Sequence, residues 1–310
     1  MDADLNARGE AIFAPLPQFA LLSVTGADAR AFLHGQLSND IEQLVAGLAR
    51  RAGYCSPKGR LLASLLVVPQ ADGFLLQVSG DIAAAIAKRL TMFVLRSKVK
   101  IADAGETWKQ FGLWGRDAAA KLRECGFEIP GQPLQSTAGP DGIVVALEDD
   151  RYLVIAPDTL GNSLASRFAQ VAPEAWSLEE VRAGVPLVTL PTQDQFVPQM
   201  ANFERVSGVD FKKGCYPGQE IVARTQYLGK LKRRMYRGQV DATTAPAAGM
   251  DVYANEPQPI GTVVNAAPRP EGGYEFLAVL QSSSVEEGAP LRLGAADGPL
   301  AGILTLPYTV

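Results

Sequence analysis

The sequence predicts an α+β protein whose C-terminal part is all β. Two observations carry this. Through the first ~225 residues, apolar side chains recur by turns at helical and at strand spacing. From about residue 230 the helical period disappears, and short apolar runs alternate with Gly, Pro, Asp and Asn clusters, as in a small β-barrel or sandwich. A chain of 310 residues has room for two or three domains.

Residues 19–24 read as a strand. Thr25 followed by Asp28 resembles a capping box, and Leu33, Leu37 and Ile41 then recur every fourth residue, predicting a helix that ends at Gly47. Leu61–Val68 and Phe74–Val78 read as two strands joined by a turn at residues 69–73. Ile82, Ile86 and Leu90 mark a second amphipathic helix, with Lys88 and Arg89 near its negative end. Residues 108–115 and 143–155 read as strands, the latter a hairpin with residues 148–151 at its polar tip. Leu160, Leu164 and Phe168 mark a third helix. Ser177-Leu178-Glu179-Glu180 has the form of a capping box opening a fourth, which ends near Gly184-Val185-Pro186.

Composition narrows the function classes. A hydrophobic fraction of 47% and a charged fraction of 20% are ordinary for a soluble globular protein. The formal charge of -4 gives no case for nucleic-acid binding. Cys55, Cys125 and Cys215 cannot all pair within one chain, and neither CxxC nor Cys/His spacing occurs, so no metal site is expected. The only histidine is His34, which reads as packing near its helix. Reduced thiols fit a cytoplasmic setting. The start, MDADLNARGE, has no apolar signal core, and the run Leu61–Val68 is too short to cross a bilayer, so no membrane is expected as a partner.

The most informative stretch is Lys212-Lys213-Gly214-Cys215-Tyr216-Pro217-Gly218-Gln219-Glu220. Gly214 and Gly218 permit backbone angles other residues resist and allow close approach to a ligand. Pro217 stiffens the loop. Lys212 and Lys213 put positive charge near Cys215, which favours thiolate. Gln219 and Glu220 offer acceptors, and Gln219 donors as well. A planar heterocycle with amide edges, or an anionic tail, suits this set; a tight turn with a buried cysteine and solvated lysines is the alternative. If the following run is helical, Glu220 and Arg224 share a face and can pair with each other.

The stretch KKGCYPGQEIVAR resembles the signature of the YgfZ family of folate-binding proteins, relatives of the aminomethyltransferase (T protein) of the glycine cleavage system. Four further blocks carry the likeness in order: residues 21–29 with 32–40, Gly53–Arg60, Val181–Pro186 and Phe196–Asn202. The resemblance implies a three-domain, T-protein-like cloverleaf ring around a central cavity. Its N-terminal domains would be discontinuous: 1–48 plus 108–205, then 49–107 plus 206–226. A C-terminal β-barrel over 227–310 would complete it. It implies tetrahydrofolate, or a folate derivative, as ligand, with Cys215 as the functional group and Lys213 polarising it.

Around the ligand the resemblance suggests Asn39. Tyr54 could stack on a flat ring or pack in the core. Gln199 and Asn202 offer paired donor and acceptor edges, or cap local backbone. Gly214, Gln219, Glu220 and Arg224 complete the candidate set, Arg224 through a glutamyl tail or through Glu220. Lys230, Lys232, Arg233, Arg234 and Arg237 read as a solvated strand face or as an electropositive rim. Cys55 and Cys125 read as structural or incidental, and one thiol alone cannot hold an iron–sulfur cluster. The implied role is an accessory factor for assembly or repair of iron–sulfur enzymes, whose client or assembly proteins would be its partners. The alternatives are a folate-dependent aminomethyl or one-carbon transferase, with Asp40 as its acid or base, and a scaffold that recruits a partner through the basic stretch.

Overall fold

The computed structural model describes residues 10–228 and 231–310, so the N-terminal stretch before Glu10 and Lys230 lie outside the described residues. The chain forms two compact units, each assembled from separate segments. The first takes the chain up to Gln36, then Asp40–Arg51 and Leu65–Trp176; the second takes Leu37–Asn39, Ala52–Ser64 and Ser177–Val310.

In chain order come β1 (Ile12–Pro15), β2 (Phe19–Thr25), α1 (Ala29–Gln36), β3 (Arg50–Cys55), β4 (Leu61–Gln70), β5 (Gly73–Ser79), α2 (Ala83–Met92) and β6 (Lys100–Asp103). Then follow β7 (Lys109–Trp114), α3 (Ala118–Glu124), β8 (Ser136–Gly139), β9 (Gly142–Ala146), β10 (Arg151–Ala156), α4 (Asp158–Ala165), β11 (Ala169–Gln170) and α5 (Pro173–Arg182). They build a sheet of order β11-β1-β7-β10-β9-β8 and another of order β3-β4-β5-β2-β6. The expected hairpin is β9–β10, registered Tyr152 to Ala146. Its tip uses Asp149 and Asp150 at φ 61° and 53°, left-handed angles that Asp tolerates better than most residues. One core cluster gathers Leu21, Val68, Leu75, Val145, Leu153 and Trp176. The opposite faces of the same strands supply another, with Phe111, Leu113, Val144 and Val154 against Leu122 and Leu164. Gly112 is where Trp176 lies flat: a methyl group there would sit 2.2 Å from the indole.

The second unit continues with α6 (Gln219–Leu228), β12 (Arg233–Val240), β13 (Asp251–Tyr253), β14 (Gly261–Pro268), β15 (Tyr274–Gln281), α7 (Ser282–Glu286), β16 (Leu291–Leu293) and β17 (Leu300–Leu304). The strands close into a barrel of order β12-β15-β14-β13-β16-β17. From Phe276 to Leu280 strand β15 is apolar without interruption because both of its faces are buried there. Phe276, Ala278 and Leu280 join Val240, Val263 and Leu291 in one cluster. Leu277 and Val279 join Leu178, Val181 and Met235 in another.

Three sequence expectations are corrected. The helix read through Leu33, Leu37 and Ile41 stops at Gln36, although all three side chains are fully buried. Ser38 ends it, because its hydroxyl donates to the Gly208 carbonyl at 2.6 Å and accepts from the Gly53 amide at 2.7 Å, offering the backbone an exit from the helix. Asp28 does not close a capping box with Thr25; its carboxylate accepts from the Lys98 amide at 2.7 Å. The fourth helix opens at Pro173, not Ser177, since proline at the first turn has no amide to leave unpaired.

Candidate functional site

The signature loop and most of its predicted companions fall within the second unit, so local forces place them together. Along the loop the side chains alternate. Lys213 and Tyr216 turn inward and are buried, whereas Gly214 and Cys215 are exposed. The Lys213 ammonium donates to the Leu37 carbonyl at 2.8 Å and stands 4.8 Å from the centre of the Tyr216 ring. A buried ammonium needs such partners, because an unpaired one would lose its proton or unfold the loop. Lys213 therefore anchors the turn from inside and presents Cys215 outward. Burial pushes the Tyr216 phenol well above its usual range, with the neighbouring Cys55 adding to this. Burial also pushes the Cys55 thiol up to about 12, which leaves it protonated and inert.

Two glycines fit the loop to the turn after β3. Gly218 (φ 78°) and Gly59 (φ 70°) both take left-handed angles. A methyl group on Gly218 would lie 2.4 Å from the Ser56 carbonyl and 2.6 Å from the Gly59 Cα. The Ser56 hydroxyl bonds the Asp194 carboxylate at 2.6 Å, and Arg60 donates to the Asp194 and Gln195 carbonyls at 3.2 and 3.1 Å. Two distant blocks of the sequence thus become one backbone-to-backbone contact.

The other predicted residues separate into two groups. Asn39 is buried and donates to the Ser207 carbonyl at 2.6 Å. Tyr54 is buried, and its backbone bridges to Leu37. Both therefore sit beside the Lys213 anchor. Gln199 and Asn202 are fully buried and donate to backbone: Gln199 to the Val222 carbonyl within α6, Asn202 to the Met235 carbonyl within β12, each at 2.7 Å. Gln219 donates to the Lys213 carbonyl at 3.4 Å. Glu220 and Arg224 lie on α6 as the spacing predicts, but both are exposed and no ion pair joins them among the described residues.

The basic stretch does not behave as one solvated face. Arg234 is half-buried, donates to the Gln199 carbonyl at 2.9 Å and to Asn202 Oδ1 at 3.3 Å, and pairs with Glu204. Arg237 pairs with the buried Glu275 at 2.9 Å. Lys232 and Arg233 are the exposed members.

Glu204 is the residue sequence reasoning missed. Arg234 holds one of its oxygens, while Oε2 is buried with no hydrogen-bond partner among the described residues. Gln199 Oε1 is in the same condition. Arg234 reaches Gln199 only through its main-chain carbonyl and Glu204 through its carboxylate, and buried acceptors left without a donor on either side chain are costly in a folded protein unless something donates to them. The signal in the sequence was Asn202-Phe203-Glu204, an acid two residues beyond a predicted contact. Asp40, the acid or base of the transferase reading, belongs to the first unit. Partial burial raises its carboxyl, but the Gln43 amide, the adjacent His34 at 3.2 Å, the Glu42 amide and Arg50 together hold it below the usual carboxylate value.

No group of three His, Cys, Asp or Glu side chains able to hold a metal occurs among the described residues. No helix of the described residues is long and apolar enough to cross a membrane.

No protein-family model matches the chain. Among curated proteins it is similar to the tRNA-modifying protein YgfZ of Shigella dysenteriae serotype 1 and of Escherichia coli O45:K1. Each is 28% identical over 304 residues, which cover 95% of this chain and 92% of the relative. Among solved structures it is similar to the glycine cleavage system aminomethyltransferase T of Bartonella henselae. That match has a TM-score of 0.77 at 19% identity and covers 97% of this chain and 87% of the other. The likeness to YgfZ thus extends over nearly the whole chain, including the barrel that carried no motif, and the fold is that of the aminomethyltransferase T.

Proposed function

We propose that this YgfZ-like chain, built on the aminomethyltransferase T fold, binds tetrahydrofolate and serves assembly or repair of iron–sulfur enzymes through Cys215. The observation that supports the ligand most directly is the pair of orphaned acceptors, Gln199 Oε1 and Glu204 Oε2. A pterin carries an amino group and ring N–H groups, donors of the kind that each of these acceptors lacks. The residues present therefore suit the group. Arg234 would fix the carboxylate, and Gln199 would be oriented by its bond to α6. Tetrahydrofolate would supply one-carbon or reducing chemistry when bound; the chain's own residues bind it and hold the loop.

Cys215 is exposed on a loop whose lysine is anchored inward, so it is accessible to a protein partner while its backbone is fixed. This arrangement favours an accessory factor over a transferase. Asp40, the acid or base of the transferase reading, is held as a carboxylate by the Gln43 amide at 3.1 Å and by His34, which leaves it no proton to give as an acid and makes it a weaker base.

The test is Cys215→Ala in cells lacking the native gene. The variant is expected to fold, and iron–sulfur enzyme activities are expected to fall toward those of the deletion. Activities equal to wild type would remove the thiol from the mechanism.

A further inference from the structure

The exit of α2 carries a concentration of exposed apolar side chains. Met92 is 63% exposed, Phe93 42% and Leu95 87%, three large apolar residues within four positions. Around them, between residues 88 and 100, stand Lys88, Arg89, Arg96, Lys98 and Lys100 and not one acid, in a chain whose 33 acids outnumber its 29 bases. All of these cations but Arg89 are exposed, and Arg89 lies over the Phe93 ring at 5.9 Å.

The segment is also tied down by hydrogen bonds and a close backbone approach. Phe93, Val94 and Ser97 amides bond the Leu90, Thr91 and Val94 carbonyls at 3.0, 3.2 and 2.8 Å. Asp28 accepts from the Lys98 amide, and Gly26 lets the Lys98 carbonyl approach so closely that a methyl there would lie 2.1 Å away. Leu95 is held at φ 45°, a left-handed angle costly for leucine, with its side chain in water. Burial does not reward that conformation; the fixed neighbours impose it. An apolar tip held in a strained shape is preorganised to be covered.

We propose that this tip docks an acidic protein partner that offers an apolar recess rimmed by carboxylates. The composition is that of an interface: exposed Met, Phe and Leu with exposed cations before and after them in the chain. The charge balance selects an anionic counterpart and makes association steerable by salt. Nucleic acid fits less well, since a single aromatic ring makes no stacking platform. A lipid surface fits less well, because the apolar face of α2, Ala83, Ile86 and Leu90, is buried in the unit and cannot lie on a bilayer.

The test replaces Phe93 with p-benzoylphenylalanine in the full-length chain expressed in Escherichia coli, with irradiation in cells and sequencing of the cross-linked peptide. The expected product is a segment of another protein with net negative charge. The yield should fall at least about tenfold with Leu95→Gly, which keeps the left-handed backbone and removes only the side chain. A similar fall is expected with Arg96→Glu combined with Lys98→Glu, with thermal midpoints of both variants near that of the parent. Cross-links to RNA, to lipid, to a second copy of this chain or to a net-basic segment would overturn the proposal, as would no cross-link or yields indifferent to both variants.

Discussion

Replacing Gly218 by alanine tests whether the signature loop is fitted to the Ser56–Arg60 turn by close approach. The added methyl meets two obstacles. The backbone is at φ 78°, which costs a non-glycine residue about 1–2 kcal/mol. It also points at the Ser56 carbonyl, 2.4 Å away, and at the Gly59 Cα and N, both 2.6 Å away, backbone atoms that cannot swing aside. Overpacking of that kind costs about 1–3 kcal/mol more, so the sum is on the order of 3 kcal/mol. Gly288 in the same unit separates the two effects: its φ is 68°, but nothing lies within 4 Å of its added methyl. Gly288→Ala should therefore lose only the strain, about 1 kcal/mol. Urea unfolding followed by circular dichroism measures both. An equal loss in the two variants would refute the close packing of the loop on the turn.

Three further outcomes follow from the same geometry. With a thiol reagent on the native protein, Cys215 should react fastest, half-buried Cys125 more slowly, and Cys55 only after unfolding; early labelling of Cys55 by peptide mapping would contradict its burial. Lys213→Met should cost about 1–3 kcal/mol in urea, because the buried Leu37 carbonyl loses its donor; a neutral substitution would mean the ammonium is not the anchor. Burial raises the Glu148 carboxyl, but the two-point bond from Arg51 and the nearby Arg151 outweigh it and bring it from 4.5 to about 2. Since the folded value lies below the unfolded one, this stabilisation is full above pH 4.5 and is lost as pH falls toward 2. The side chain is more than a third exposed, so solvent screening reduces the contribution to about 1–2 kcal/mol. Glu148→Gln should flatten that acid limb of the stability curve, and an unchanged limb would place the linkage elsewhere.

Much of the fold was legible because burial leaves a period. The β2, β5, α2 and β9–β10 elements follow from alternation or fourfold recurrence of apolar residues. What escaped the period was what tertiary contact decides. Leu37 and Ile41 keep helical spacing and are buried, yet Ser38 finds better partners in Gly53 and Gly208 than a helix could give it. Strand β6 reads as polar because most of it is exposed or half-buried at a sheet edge. The site shows the same divide. The glycines and the cysteine of the loop announced a special backbone, and the outward thiol agrees with that. The inward turn of Lys213, the spending of the Gln199 and Asn202 amides on α6 and β12, and the half-satisfied Glu204 depend on residues more than a dozen positions away, which no local window contains.

The most direct measurement is a calorimetric titration of tetrahydrofolate into the full-length protein, its Cys215→Ala variant and its Glu204→Gln variant, with folding confirmed by circular dichroism. Saturable binding of one equivalent to the parent and to Cys215→Ala, weakened in Glu204→Gln, is the expected result. Absence of binding to the folded parent, or binding indifferent to Glu204 yet abolished with the thiol, would contradict the assignment of the ligand to the orphaned acceptors.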